Sequence, residues 1–449
     1  MRKRFLALVC ALHVVCLSCP SFSLAAEAPL DLQSVIQFAL KHNPNLRISE
    51  KNIQGEKYGI DAARAERWPK IDFGSGLTQY KYPTPLTPIV IQAPVTAAEL
   101  NDLPDFEQTI YDVGASFRLP LYRGGRIMRN IRIAEMKKGV AEDTYKADQQ
   151  DLIYNLTSVY NKILQLQKLL VSTQASVTQL ESHERDVEDF LKVGTVPRLD
   201  LLKTEVELAH AKENVIAVKN NLDSAFELLK NLMGMDDASL SVSIAEEPVT
   251  QGTSPSEGEA LATALALRPD YKAVAKRKQI AEDQIKLAWG RHLPDVYGSG
   301  QYTKTAGVST ALKEDWFVGL KLTIPLFDGG LIRADVNNAR IELEKVKEEE
   351  RALRLSITRE VKDALLDITN ASERIEVAEK ALISARETLR VERLKYETGR
   401  GTTTDVIDAQ TALLRAETDY YQARYDRETS LASLRKAMGA PPAWQEVQR

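Results

Sequence analysis

The sequence predicts a mainly α-helical chain with a small β portion, written twice from one plan. Three observations carry this reading. An internal repeat runs through most of the 449 residues, two long proline-free stretches suit very long helices, and short alternating strands are too few to close a sheet on themselves.

The repeat is plain in the punctuation. Ala39, Leu40, Asn43 and Pro44 recur as Ala264, Leu265, Arg268 and Pro269, and Pro69 ahead of Gly74-Ser75-Gly76 recurs as Pro294 ahead of Gly298-Ser299-Gly300, about 225 residues later. The join that runs from Pro120 to Gly124-Gly125 returns as Pro325 to Gly329-Gly330, at an offset of 205. That offset holds through Gly194 and Gly399, Asp200 and Asp405, and Gly234 and Gly439. The expected units are therefore 27–256 and 257–449. Each reads as a helix, a strand pair (70–120 or 295–325), a long helix (126–191 or 331–396) and a return helix (200–233 or 405–438). A Pro-rich insertion at 81–108 lengthens the first strand connection and reads as a surface loop, serving either as a spacer or in recognition.

The chain opens with Arg2, Lys3 and Arg4, then an apolar run ending near Ala25 and Ala26, the pattern of a secretory signal peptide over 1–26. All three cysteines, Cys10, Cys16 and Cys19, lie in this segment, so residues 27–449 have no thiol for disulfides, catalysis or metal binding. Cys19 as a lipidated N-terminus is the other possibility, although Cys16-Leu17-Ser18 matches a lipobox poorly. Without the three basic residues the formal charge of -4 becomes about -7, which argues against nucleic acid as a partner.

No later apolar run approaches twenty residues, so any membrane crossing must be made by strands. Trp316, Val318, Leu320, Leu322 and Ile324 alternate with Gly319, Lys321 and Thr323, a strand with one buried face. Tyr111, Val113, Ala115, Phe117 and Leu119 alternate in the same way, and weaker glycine-rich strands precede each. A soluble sandwich would alternate too. Four strands cannot close a bacterial membrane barrel, which needs about eight.

At 1.5 Å per residue the two long helices would each reach roughly 100 Å, longer than any single globular core. Their distal parts keep a seven-residue apolar period, as in Leu152, Leu156, Val159, Ile163 and Leu166, or Ile357, Val361, Ala364, Ile368 and Ala371. That is a left-handed coiled-coil seam, and the return helices carry the same period as antiparallel partners.

Taken together, the glycine-paired strand-to-helix joins, the long helices, and the turns Val193-Gly194-Thr195 to Asp200 and Thr398-Gly399-Arg400 to Asp405 resemble the TolC-like outer-membrane efflux factor family. The resemblance covers nearly all of the chain after residue 26. It implies a homotrimer in which four transmembrane strands per chain complete a twelve-stranded barrel, and long coiled-coil helices form a periplasmic α-tunnel. Such a duct would serve a tripartite efflux or type I secretion system, with a periplasmic membrane-fusion adaptor, an inner-membrane pump (RND, ABC or MFS type) and outer-membrane lipid as partners, and no cofactor.

The same resemblance assigns the tip. Gly194, Thr195, Leu199, Gly399 and Gly401 fall where the adaptor docks, and Asp405 and Asp408 match the family's constricting acidic pair. Their spacing of three puts both on one helical face, although Asp is favoured at any helix N-terminus. Asp200 and Tyr396 match gate-closing contacts, while the family's basic gate residue falls on Gly401, which leaves Arg400 or Arg198 to rewire the closing link.

Other functions find little support. The five histidines are scattered without metal spacing and no Gly-rich phosphate loop precedes a helix, so an enzyme is not expected. The alternative is a periplasmic coiled-coil adaptor, which has one hairpin interrupting a lipoyl-like region, whereas this chain has two, each preceded by a strand pair.

Overall fold

The computed structural model describes residues 30–87, 105–235, 243–246 and 255–440; the expected signal segment and most of the 81–108 insertion lie outside them. Each repeat begins with two helices where the sequence reading has one: α1 (Leu32–His42) and α2 (Pro44–Ala65), then α5 (Glu257–Leu267) and α6 (Pro269–Trp289). The break follows from proline. A residue before proline is pushed out of the α region, and here Asn43 and Arg268 have ψ near 124° and 125° while Pro44 and Pro269 open the next helix.

The strands are β1 (Lys70–Pro85), β2 (Phe106–Arg123), β3 (Asp295–Ala306) and β4 (Lys313–Thr323), an antiparallel meander in the order β1-β2-β3-β4. β1 and β2 reach into the Pro-rich segment, so the first connection is shorter than 81–108 implies. β4, by contrast, stops before Pro325. Residues paired across the ladders share a face. One row reads Ile71, Phe117, Gly300, Val318 and the next Phe73, Ala115, Tyr302, Trp316, while the opposite face carries rows such as Gly76, Asp112, Thr305, Lys313.

The sequence reading expected the apolar face to be buried, and within one chain it is not. Trp316, Val318 and Leu320 are exposed, as are Ile71 and Phe73. Apolar outside and polar inside is the pattern of a sheet whose apolar face meets lipid. No described helix is long and apolar enough to cross a membrane.

Below the sheet run α3 (Arg126–Lys192), α4 (Arg198–Met233), α7 (Leu331–Glu397) and α8 (Thr403–Ala437). At 67 residues each, α3 and α7 extend about 100 Å. Contacts join α4 to α3, α3 to α8 and α8 to α7, so α4 and α7 are the two edges of a helical layer. The seam positions of both repeats are buried or half-buried: Leu156, Ile163 and Val187 on α3 answer Ile357, Val361 and Ala364 on α7. The largest apolar cluster lies midway, where Leu156, Tyr160 and Ile163 of α3 meet Val35 and Ile36 of α1 and Leu229 of α4. There the Tyr160 hydroxyl donates to the Ala245 carbonyl (2.6 Å), fixing the linker between the repeats against α3.

At both strand-to-helix joins, residues equivalent by the repeat sit in different surroundings. Gly124 (φ 57°) and Gly329 (φ 65°) are both left-handed. A Cβ on Gly124 would lie 2.2 Å from the Gly290 carbonyl oxygen, whereas Gly329 has nothing within 4 Å. Gly124→Ala should therefore cost the left-handed strain of about 1–2 kcal/mol and at least about 1 kcal/mol more through overpacking against the end of α6. Thermal unfolding beside the parent checks this; a loss no larger than the strain alone would show that the α6 end yields freely to a side chain at Gly124.

Candidate functional site at the helical tips

Both long helices end in the same way. In α3, Gly194 N–H donates to the Leu191 carbonyl (3.0 Å) and Thr195 N–H to the Phe190 carbonyl (3.0 Å); in α7, Gly399 N–H donates to Tyr396 (3.0 Å) and Arg400 N–H to Lys395 (2.7 Å). These are Schellman ends, with glycine at the left-handed position (φ 76° and 70°). They turn the chain back within a few residues, which places the starts of α4 and α8 beside the ends of α3 and α7.

The two returns then differ. Thr402 caps α8: its hydroxyl accepts from Asp405 N–H (3.2 Å), and the Asp405 carboxylate accepts from Thr402 N–H (3.0 Å) and from its hydroxyl (2.7 Å). The Thr402 hydrogen bonds hold the fully exposed Asp405 carboxyl below its usual range. Asp408 stands one turn on, exposed on the same side of α8. In the first repeat Pro197 occupies the capping position and has no side-chain hydrogen-bonding group, so Asp200 has no such partner. The Lys203 ammonium donates to the Thr404 hydroxyl (3.3 Å), tying the α4 start to the α8 start.

Of the residues expected to close the gate, Tyr396 proves to be part of the tip core. It is 5% exposed and packs with Val187, Leu389, Val406 and Ala409. His183 meets it edge-on at 4.7 Å between ring centroids and Phe190 does so at 5.5 Å. Burial pushes the Tyr396 phenol up, and Asp200 and Asp186 nearby add to this. Its hydroxyl lies beside that of Thr403, yet both oxygens are buried and neither makes a hydrogen bond of good geometry. Arg198 and Arg400 are exposed and make no ion pair among the described residues. Leu199 is exposed at the tip, as are Gly194, Thr195 and Gly399, with Gly401 half-buried against Lys395.

Two features here escaped the sequence reading. The capping box was legible, since Thr402 and Asp405 have the required spacing of three. His183 was not, because its environment comes from α7, more than two hundred residues away. Its ring is 2% exposed and its Nε2 is unpaired.

The two repeats also organise the comparison with known proteins. The family described as "Outer membrane efflux protein" matches residues 35–235 and 260–440, one stretch for each repeat. The chain belongs to that family. The outer membrane protein TolC of Salmonella enteritidis is 26% identical over 436 residues, covering 94% of this chain and 84% of the relative. The fold is shared with the outer-membrane channel OprN (TM-score 0.78, 20% identity, 91% and 90% of the two chains). It is shared also with the outer membrane protein VceC of Vibrio cholerae (TM-score 0.75, 18% identity, 91% and 96%). The family places the sheet in the outer membrane and the helices on the periplasmic side, and sets the adaptor alternative aside.

Burial, with Arg393 repulsion second, lowers the His183 pKa to about 4 from 6.5. The folded tip thus holds a neutral imidazole, and the unfolded chain binds a proton first as pH falls. The stability this burial permits is complete above about pH 6.5 and is lost between 6.5 and 4. On the order of 2 kcal/mol is at stake after allowing for solvent near the tip. Melting temperature should fall between pH 7 and 5 in the parent and less in His183→Gln; parallel curves would show that the ring is protonated without strain.

Proposed function

We propose that three copies of this chain form an outer-membrane duct of a tripartite efflux or type I secretion system, in which the helical tips make the periplasmic gate. The observation that carries this reading is that every edge of the single chain is unfinished. β1 and β4 are both terminal strands of a four-stranded sheet with an exposed apolar face. The edge helices α4 and α7 likewise expose apolar residues, Leu202, Val206 and Ile216 on one, Leu355, Leu366 and Val377 on the other. One edge of each pair facing the complementary edge of the next copy is a head-to-tail contact, and such contacts form a ring when the rotation between copies closes. Three copies supply twelve strands, enough for a membrane barrel.

The duct has no catalytic role. Cargo would be delivered by an inner-membrane pump through a periplasmic membrane-fusion adaptor that grips the exposed tip at Gly194, Thr195, Leu199, Gly399 and Gly401. Ring closure gathers Asp405 and Asp408 from three copies into six carboxylates at the narrowest point. The capping box fixes Asp405 against Thr402 and leaves Asp408 free to face cargo. Gate closure involves Asp200 near Tyr396, with Arg198 and Arg400 available for links between copies.

A constricted ring of acids focuses negative potential, favouring cations and binding multivalent ones. Asp405→Asn with Asp408→Asn preserves size and an acceptor for Thr402. In planar bilayers this double variant should lose cation selectivity and block by trivalent or hexammine cations while the assembly survives. The parent's reversal potential and blocker affinity in the double variant would reduce the two acids to helix-terminal charges.

A further inference from the structure

The sheet contains the geometry of an interface that one chain cannot display. Lys70 pairs with Arg118 and Leu77 with Tyr111 between β1 and β2; Asp295 pairs with Thr323 and Tyr302 with Trp316 between β3 and β4. In register, β3 is therefore β1 displaced by 225 positions and β4 is β2 displaced by 205. The β2–β3 ladder is then the in-chain counterpart of a ladder between β4 and the β1 of another copy.

That in-chain ladder pairs Phe117 with Gly300 and Leu119 with Gly298, shifts register after Pro120, and ends with Tyr122 opposite Val296 and Arg123 opposite Asp295. The equivalent stretch of the second repeat, 324–328, lies outside β4, and Leu326 and Phe327 are 93% and 92% exposed. The local sequence does not account for the difference, because Pro120-Leu121-Tyr122 and Pro325-Leu326-Phe327 are alike. What 324–328 lacks is a strand to pair with.

Building on the ring reading above, we infer that β4 continues to Asp328 along β1 of the next copy, with Leu322 opposite Ser75, Phe327 opposite Ile71, and Asp328 opposite Lys70 in an ion pair at the periplasmic rim.

The faces agree with this register. Ser75 shares its face with Phe73 and Leu77, and Leu322 with Leu320, so apolar residues meet on the lipid side; a slip by one residue would turn β4's apolar set onto the polar face. The charges agree as well, and with opposite sense at the two joins. In-chain, Asp295 pairs with Arg126 and stands opposite Arg123; between copies the acid is Asp328 and the base Lys70. Lys70 faces Arg118 within its own chain and makes no ion pair among the described residues, so the neighbour's acid relieves a like-charge pair. Asp328 accepts from the backbone N–H groups of Gly330 (2.9 Å) and Ile332 (2.8 Å) and retains acceptor capacity. β2 and β3 are paired on both edges within their own chain, so β1 is the open edge left for β4 of another copy.

Residues 27–449 have no cysteine, which makes disulfide scanning direct. Directly opposed strand residues have Cα atoms about 4.5–5.5 Å apart, and diagonal ones about 7–8 Å, at the limit of a disulfide. Oxidation in outer-membrane vesicles should link Ser75→Cys to Leu322→Cys between chains, giving covalent multimers, and should leave Ser75→Cys with Leu320→Cys largely unlinked. Stronger linking of the shifted pair would overturn the register while the ring stands. No linking in chains that sediment as trimers would overturn the β4–β1 assignment, and no linking in folded monomers would sink the ring reading together with it. For the ion pair, Lys70→Glu should lower the temperature of multimer dissociation and Asp328→Asn in that background should restore most of it. An unchanged temperature in Lys70→Glu would refute the pair.

Discussion

An unpaired strand edge in lipid is the constraint on which the rest of this structure depends. Backbone N–H and C=O groups have no water to bond in the hydrocarbon layer, so each one left open costs several kcal/mol. β1 and β4 leave two such edges per chain, and the apolar face of the sheet adds a surface that water does not tolerate. In the proposed ring, each copy closes the open edges of its neighbours. The helices inherit the problem, because each repeat joins its strand pair to a long helix through a two-glycine turn, and the order of strands dictates the order of helices.

Internal duplication makes this assembly economical in sequence. Once β2 and β3 can pair through Phe117 and Gly300, the same ladder needs only changed charges to operate between copies. The Cβ that Gly300 lacks would sit 2.4 Å from the Phe117 ring, so the aromatic covers the glycine and the row keeps its apolar surface. Divergence between the repeats is concentrated where a ring needs asymmetry. Thr402 caps α8 where Pro197 leaves α4 without a side-chain cap. The tip thus has one return with a capping box and one without, with Tyr396, His183 and Thr403 carrying buried polar atoms that lack partners. Buried groups left unsatisfied weaken the packing there.

Much of the fold was legible because it is periodic. Seam residues such as Ile357, Val361 and Ala364 announce themselves at heptad spacing, and the strands of Trp316–Leu322 at spacing two. Splitting of the first helix at Pro44 and Pro269 was legible too, through the effect of proline on the residue before it, and a reading that followed the apolar pattern alone passed over it. What covers the apolar strand face was not legible from alternation alone: alternation shows that one face avoids water, and a soluble sandwich would alternate too, so lipid came only with the family resemblance. At the tip, Asp405 and Asp408 stood out as a pair, yet the split between a carboxylate bound in a capping box and a free one depends on Thr402 geometry. The packing of Tyr396 against His183 depends on a contact between helices distant in sequence, where no local pattern points.

Sedimentation velocity in detergent, with native mass spectrometry of the same sample, tests the central claim most directly. The account predicts that the folded chain exists as a trimer and that dissociation and unfolding coincide. A monodisperse folded monomer, or a dimer with a complete eight-stranded barrel, would contradict it.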